Sequence, residues 1–327
     1  MPLDRRRLIF GFAAAAQAAA VPGLAQPSSN TRWPTKAIII VVPFPAGGSA
    51  DLSARLLAEA VFGQPVVVES KPGAGGNLAA AEAARAPADG HTLFIGTNGT
   101  QTINQSLYRQ LPYDPVADFA AIGMMWSGPH LVAINAAVPA QSLDAFTAYA
   151  RAHPGELSYG SSGIGSSTHL FGELFKARTG ISMVHVPYRG QGAALEDLIG
   201  GRIAAMFPIV PHVIASLRAG QAHALALAAN SVSEILPGVP PMPQLGYPDL
   251  IASAWVALYA PAKSPAVAIE RLRTELDALL ANSAFVERMK QVGIEVNRMR
   301  PDEFAAFTQQ ERGRWAKLIG SLDLKIE

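Results

Sequence analysis

Between residues 33 and 97 the chain alternates unbroken apolar runs with amphipathic stretches. Residues 37–44 (AIIIVVPF) are apolar throughout, which predicts a strand buried on both faces of a parallel sheet. Residues 50–62 then space Leu52 and Leu56 four apart, the mark of one face of a helix. PVVVES (65–70), GGNLAAAEAARA (75–86) and HTLFIGT (91–97) continue as strand, helix and strand. This order predicts right-handed crossovers and a doubly wound sheet. The pattern restarts downstream. HLVAIN (130–135), LSYGSSG (157–163), SMVHVPY (182–188), IAAMFPIV (203–210), HALALAA (223–229) and WVALYAPA (255–262) read as strands. Between the first four of these, 143–152, 168–180 and 192–201 read as helices, the last closed by Gly200 and Gly201. Helices over 265–281, 284–292 and 301–320 end the chain, the third opening on Pro301, Asp302 and Glu303. Two α/β units with one grammar predict two lobes with a cleft between them.

The 327 residues, half of them hydrophobic, suffice for two such units. Net charge is +1 and falls to −1 once a leader carrying Asp4, Arg5, Arg6 and Arg7 is removed. A near-neutral chain without a later basic run has no field to draw nucleic acid, so no nucleic-acid partner is expected. The absence of cysteine excludes disulfides, thiol catalysis and Cys-ligated metals. The N-terminus has a basic start, a short apolar stretch over 8–21 and small residues at Gly23 and Ala25. That stretch falls short of the roughly 20 residues of a membrane span, and the segment reads as a signal peptide, 1–25, cleaved after Ala25. Arg5-Arg6-x-Leu8-Ile9 resembles a twin-arginine signal, with Asp4 in place of the usual hydroxyl residue. A polar linker, 26–32, follows, and the mature protein is expected in the periplasm.

Two loops carry the candidate chemistry. At VVPFPAGGSAD (41–51) a strand empties into Gly47 and Gly48 before a helix that Ser49 and Asp51 suit as opening residues. Unpaired N–H groups and the helix dipole at such a junction accept a carboxylate or phosphate without a lysine. A ligand-free strand-to-helix turn has the same sequence, so this loop alone leaves both readings open. The second loop, GSSGIGSSTHL (160–170), offers five hydroxyls and three glycines ahead of a helix, more than a cap needs. Sharper motifs fail. Tyr159 excludes a G-x-S-x-G elbow, KPGAGGN (71–77) is no P-loop, and no His/Asp/Glu group has metal-ligand spacing. No cofactor or metal is expected. An exported serine hydrolase using Ser162 or Ser166 with His169 or His185 is the rival reading, and the missing elbow argues against it.

WPTKAIIIVVPFPAGGSAD, GQPVVVESKPGAGGN, ADGHTLFIGTNGT, LPYDPVADFA, GSSGIGSSTHL, VHVPYRGQGAALEDLIGGRI and ALYAPAKSP together resemble the extracytoplasmic solute receptors of tripartite tricarboxylate transporters, the Bordetella-uptake-gene type. The resemblance covers the chain from about Trp33 to the last helix. It implies a two-lobed periplasmic-binding-protein fold (Venus flytrap, type II), each lobe a doubly wound sheet flanked by helices. Lobe 1 is then 33–132 plus 256–327 and lobe 2 is 133–255. It implies a non-enzymatic, monomeric receptor for a small carboxylate, with the large and small membrane subunits of the transporter as partners. A periplasmic sensor that signals without transport is the alternative output. Carried onto this chain, the family's ligand residues are Phe44, Ala46, Gly47 and Asp51 on the first loop and Thr97 and Asn98 at a strand end. The second loop adds Ser161, Ser162, Gly165, Ser166, Ser167 and His169. One departure stands out. Where the family often has Phe-Asp, this chain reads MFPIVPH, with Pro208, Ile209 and Val210. An apolar wall there implies an apolar or aromatic acid rather than an amino acid, whose ammonium would want a carboxylate.

Overall fold

The computed structural model describes residues 33–60, 63–322 and 324–326. The expected signal segment and linker lie outside them. The chain opens with β1 (Ile38–Val42), α1 (Ser49–Ala60), β2 (Val66–Ser70), α2 (Asn77–Arg85) and β3 (Thr92–Thr97). A π-turn (Gly99–Ile103) and the short α3 (Asn104–Leu107) lead to β4 (Phe119–Pro129). The second unit runs β5 (Leu131–Asn135), α4 (Leu143–Ala152), β6 (Ser158–Ser161), α5 (Ser167–Thr179), β7 (Val184–Pro187), α6 (Gln191–Ile199), β8 (Ala205–Met206), α7 (Val210–Arg218) and β9 (Ala222–Leu227). Then come β10 (Ser253–Pro261), α8 (Ala266–Ala281), α9 (Ser283–Gln291) and α10 (Pro301–Ser321).

Two five-stranded sheets result, ordered β2-β1-β3-β10-β4 and β7-β6-β8-β5-β9. They share one plan. In the first, β1 pairs parallel with β2 and β3, and β10 then joins antiparallel. In the second, β6 pairs parallel with β7 and β8, and β5 joins antiparallel. Both sheets are therefore mixed rather than purely parallel. Strands β1, β3, β5 and β10 are buried on both faces, which explains their unbroken apolar runs, whereas the edge strands β2 and β7 expose Val67 and Val184. Ile38, Ile40 and Val42 of β1 pack on the α1/α8/α9 side and Val41 on the α2/α10 side. In β5, Val132 and Ile134 pack beneath α4 and α5, whereas Leu131 and Ala133 face α6 and α7. On α1 the buried face centres on Ala54 and Leu57, with Leu56 at its edge.

Two expectations change. The strand over 203–210 shrinks to Ala205–Met206, because Val210 already opens α7 with Pro211 in its first turn, where a missing N–H costs nothing. The longest strand, β4, was not expected, since Gly123, Ser127 and Gly128 break its apolar run. Among the described residues no helix is long and apolar enough to cross a membrane.

Candidate functional site

The shared plan decides where a site forms. The carboxyl ends of five parallel strands, β1, β3, β6, β7 and β8, or the residues just beyond them, line one cavity of about 400 Å³. Carboxyl ends of parallel strands are where helices begin and N–H groups point outward. Four helices begin at this cavity: α1 at Ser49, α5 at Ser167, α6 behind Gly190 and α7 behind Ile209. Of the twelve residues expected at a site, eight line the cavity: Phe44, Ala46, Gly47, Thr97, Asn98, Ser162, Ser166 and Ser167. Asp51, Ser161, Gly165 and His169 stand behind its wall.

Those four hold the two loops in shape. The Asp51 carboxylate is nearly sealed from solvent and accepts from the Gly47 N–H at 3.0 Å, the Arg55 Nε at 2.8 Å and the Ser70 hydroxyl at 3.3 Å. Burial pushes its pKa up, but the bonds from Arg55 and Gly47 outweigh this and hold it below the ordinary carboxylate value. Gly47 needs a positive φ of 85°, which glycine adopts without strain. In the second loop Ser166 caps α5, accepting from the His169 N–H at 3.3 Å, and its hydroxyl donates to the Gly163 carbonyl at 2.7 Å. The Gly165 N–H donates to His169 Nδ1 at 3.2 Å, and a side chain on Gly165 would collide with Leu107. The His169 ring stacks on His185 at 4.1 Å. Burial keeps both imidazoles neutral at pH 7, His185 with a pKa of about 4.

Ser161 lies 2.6 Å from His185 Nε2, the spacing of a nucleophile and its base. Yet Ser161 is fully buried and outside the cavity wall. Ser162 and Ser166, which do line the cavity, bond to the Thr168 hydroxyl at 3.1 and 2.9 Å. The cavity serines named for a hydrolase thus bond the threonine hydroxyl and not an imidazole. No group of three or more His, Asp or Glu among the described residues could hold a metal.

Sequence reasoning missed a third loop and one histidine. Arg189, Gly190, Gln191, Gly192 and Ala193 line the cavity where β7 passes into α6. The signal was present: YRGQG repeats the strand, glycine, helix grammar of the other two loops. Arg189 and Glu196 bring opposite charges to the rim, both exposed. His212 had no such signal. It enters the cavity from α7, its Nε2 3.1 Å from the Ser49 hydroxyl at the start of α1. Burial pushes this imidazole down to about 4. Of the expected apolar wall, Ile209 reaches the cavity, joined by Phe44, Trp126 and Val256. Trp126 is pinned by a 2.8 Å bond from its Nε1 to Ser53 on α1.

The profile described as "Tripartite tricarboxylate transporter family receptor" matches residues 53–324. The chain belongs to this receptor family. Protein BugT of Bordetella pertussis is 35% identical over 312 residues, spanning 94% of this chain and 96% of BugT. The structure of Rpa4515 from Rhodopseudomonas palustris, solved with adipate, superposes with a TM-score of 0.86 at 33% identity, covering 90% of this chain and 99% of the other. MatC of the same organism, solved with bound malate, gives 0.83 at 31% identity, covering 88% and 100%. The receptor has the fold of periplasmic binding proteins, and it is a solute receptor rather than an enzyme.

Proposed function

We propose that this receptor, exported and freed of residues 1–25, captures a small carboxylate with an apolar or aromatic body and presents it to the large and small membrane subunits of a tripartite transporter. The observation that carries the reading is the convergence of four helix N-termini on one cavity that also holds an apolar patch of Phe44, Trp126, Ile209 and Val256. Helix starts supply oriented N–H donors and a fraction of a positive charge each. Ser162, Ser166, Ser167, Asn98 and Arg189 add polar groups for the anionic end. Phe44, Trp126, Ile209 and Val256 suit a hydrocarbon or ring. The relatives solved with adipate and malate support a carboxylate, and adipate with its four-carbon chain fits this wall better than an amino acid would.

The two bodies that close on the ligand are 33–132 with 256–327 and 133–255. A carboxylate touching donors on both binds the closed form better and shifts the population toward it. The test is a thermal-shift and calorimetric screen of the mature chain with adipate, hexanoate, benzoate, malate and glutamate. Ligand at 100 times its Kd adds about 2.7 kcal/mol of stability, a readily visible shift. Adipate, hexanoate or benzoate binding more tightly than glutamate is the expected result. Preference for glutamate would overturn the apolar assignment, and silence with every acid would overturn the carboxylate.

A further inference from the structure

The His212–Ser49 bond joins a helix of the second sheet to a helix of the first, inside the cavity. The imidazole lies against Gly48, where an added Cβ would stand 3.8 Å from its Cε1. The ring sits between the positive ends of two helices, at the third residue of α7 and facing the first of α1. Both ends disfavour imidazolium, so the ring works as a neutral group with one N–H. Asp51, in the same first turn of α1 and behind the cavity wall, is already committed to Arg55, Gly47 and Ser70. The charged residues lining the cavity are Arg189 and Glu196.

A neutral imidazole and a serine hydroxyl can bond in two directions. Either Ser49 donates to Nε2, and its proton is used up, or the Nε2–H donates to Ser49, and the serine proton is free. An anion on the start of α1 favours the second arrangement, because an O–H bond to a charged acceptor is about twice as strong as a neutral one. We propose that His212 is a positioning residue that reads the anion across the cleft: anion binding reverses its bond to Ser49 and releases the serine proton to the ligand. The ring proton moves from Nδ1 to Nε2 through solvent, and no net proton is taken up. This inference rests on the carboxylate reading above.

The experiment combines ¹⁵N imidazole spectra with calorimetry, using adipate as the probe. In the ligand-free receptor, Ser49→Ala should move the Nε2 resonance of His212. Saturating adipate should shift the wild-type ring from the Nδ1–H to the Nε2–H tautomer. Binding heat should be the same in buffers of different ionisation enthalpy. His212→Ala should weaken adipate about tenfold, His212→Gln, whose amide can still donate to Ser49, should lose less, and His212→Ala should add nothing to Ser49→Ala. An unmoved tautomer, buffer-dependent heat or fully additive losses would each overturn the proposal. If adipate does not bind but another of the five acids does, that acid is the probe; if wild-type protein binds none of the five, the carboxylate reading fails separately. Sulfate then serves as the anion, and a tautomer that ignores it overturns the role of His212.

Discussion

His130 is the single residue between β4 and β5, where the chain first passes from one sheet to the other. It is fully buried and lies parallel to Phe171, ring centroids 5.4 Å apart. Its Nδ1–H donates to the Phe207 carbonyl at 2.9 Å, and its Nε2 has no partner. Burial is the main force on its pKa and lowers it from 6.5 to about 4; the Phe207 carbonyl opposes this, and Arg314 adds to it. Unfolding exposes the ring and restores the ordinary value. Between pH 6.5 and 4 the unfolded chain therefore binds a proton that the folded chain refuses. Stability from the neutral ring is complete above pH 6.5 and is lost as pH falls toward 4. At pH 5 the loss is about 2 kcal/mol relative to neutral pH. His130→Gln keeps a donor for Phe207 but cannot titrate. Urea unfolding of both proteins at pH 7 and pH 5 isolates the effect, since every other group cancels in the difference. Wild-type protein should lose about 2 kcal/mol more than the variant between those two pH values. Equal losses would refute the claim that His130 is held neutral by burial.

Asp51→Asn should lower stability by about 1–2 kcal/mol at pH 7, because charge-assisted bonds from Arg55 and Gly47 weaken. The carboxyl pKa is depressed in the folded state, so the gap between the two proteins should close as pH falls below the ordinary 3.8; a gap that persists there would refute it. Gly172→Ala tests packing in α5. Alanine gains about 1 kcal/mol of helix propensity, but its Cβ would collide with the buried Tyr159 ring and press on Phe207. Overpacking of this kind costs about 1–3 kcal/mol, so thermal unfolding should show a net loss, and a stabilised variant would refute the collision.

Much of this fold is legible because β1, β3, β5 and β10 are buried on both faces and so carry no polar alternation to confuse them. What stayed hidden has physical causes. Strand β4 holds glycines and serines because it pairs with β10 through two register shifts and passes beneath α8, where bulk is unwelcome; a Cβ on Gly123 would approach Leu276 at 3.1 Å. The residues from Pro208 onward read as strand because Ile209 and Val210 are β-branched and apolar. Their burial comes instead from a cap and a first helical turn. Local propensity loses there to the tertiary packing of α7 on β9.

The site divides in the same way. Loop grammar pointed to Gly47, Ser162, Ser166 and Ser167 because glycine and hydroxyl residues ahead of a helix have few other uses. It could not tell which polar side chains face the cavity and which brace it. Asp51 and Ser161 have the chemistry of ligand contacts, yet Asp51 is spent on Gly47, Arg55 and Ser70, and Ser161 on His185 and Gly163. Asp51 in particular would repel an anion if its charge were free. Its bonds to Arg55 and Gly47 turn that charge into the restraint that holds the first loop open to a ligand. His212 was invisible for the opposite reason. Its partner, Ser49, lies 163 residues away, and the pair meets only because both sheets are built on one strand order and aim their carboxyl ends at a common space. The proposed anion site would need no net charge on the chain. In the function proposed above, fixed N–H groups at four helix starts would supply the attraction, and the side chains behind them, Asp51 and His212 among them, would decide how those donors are aimed.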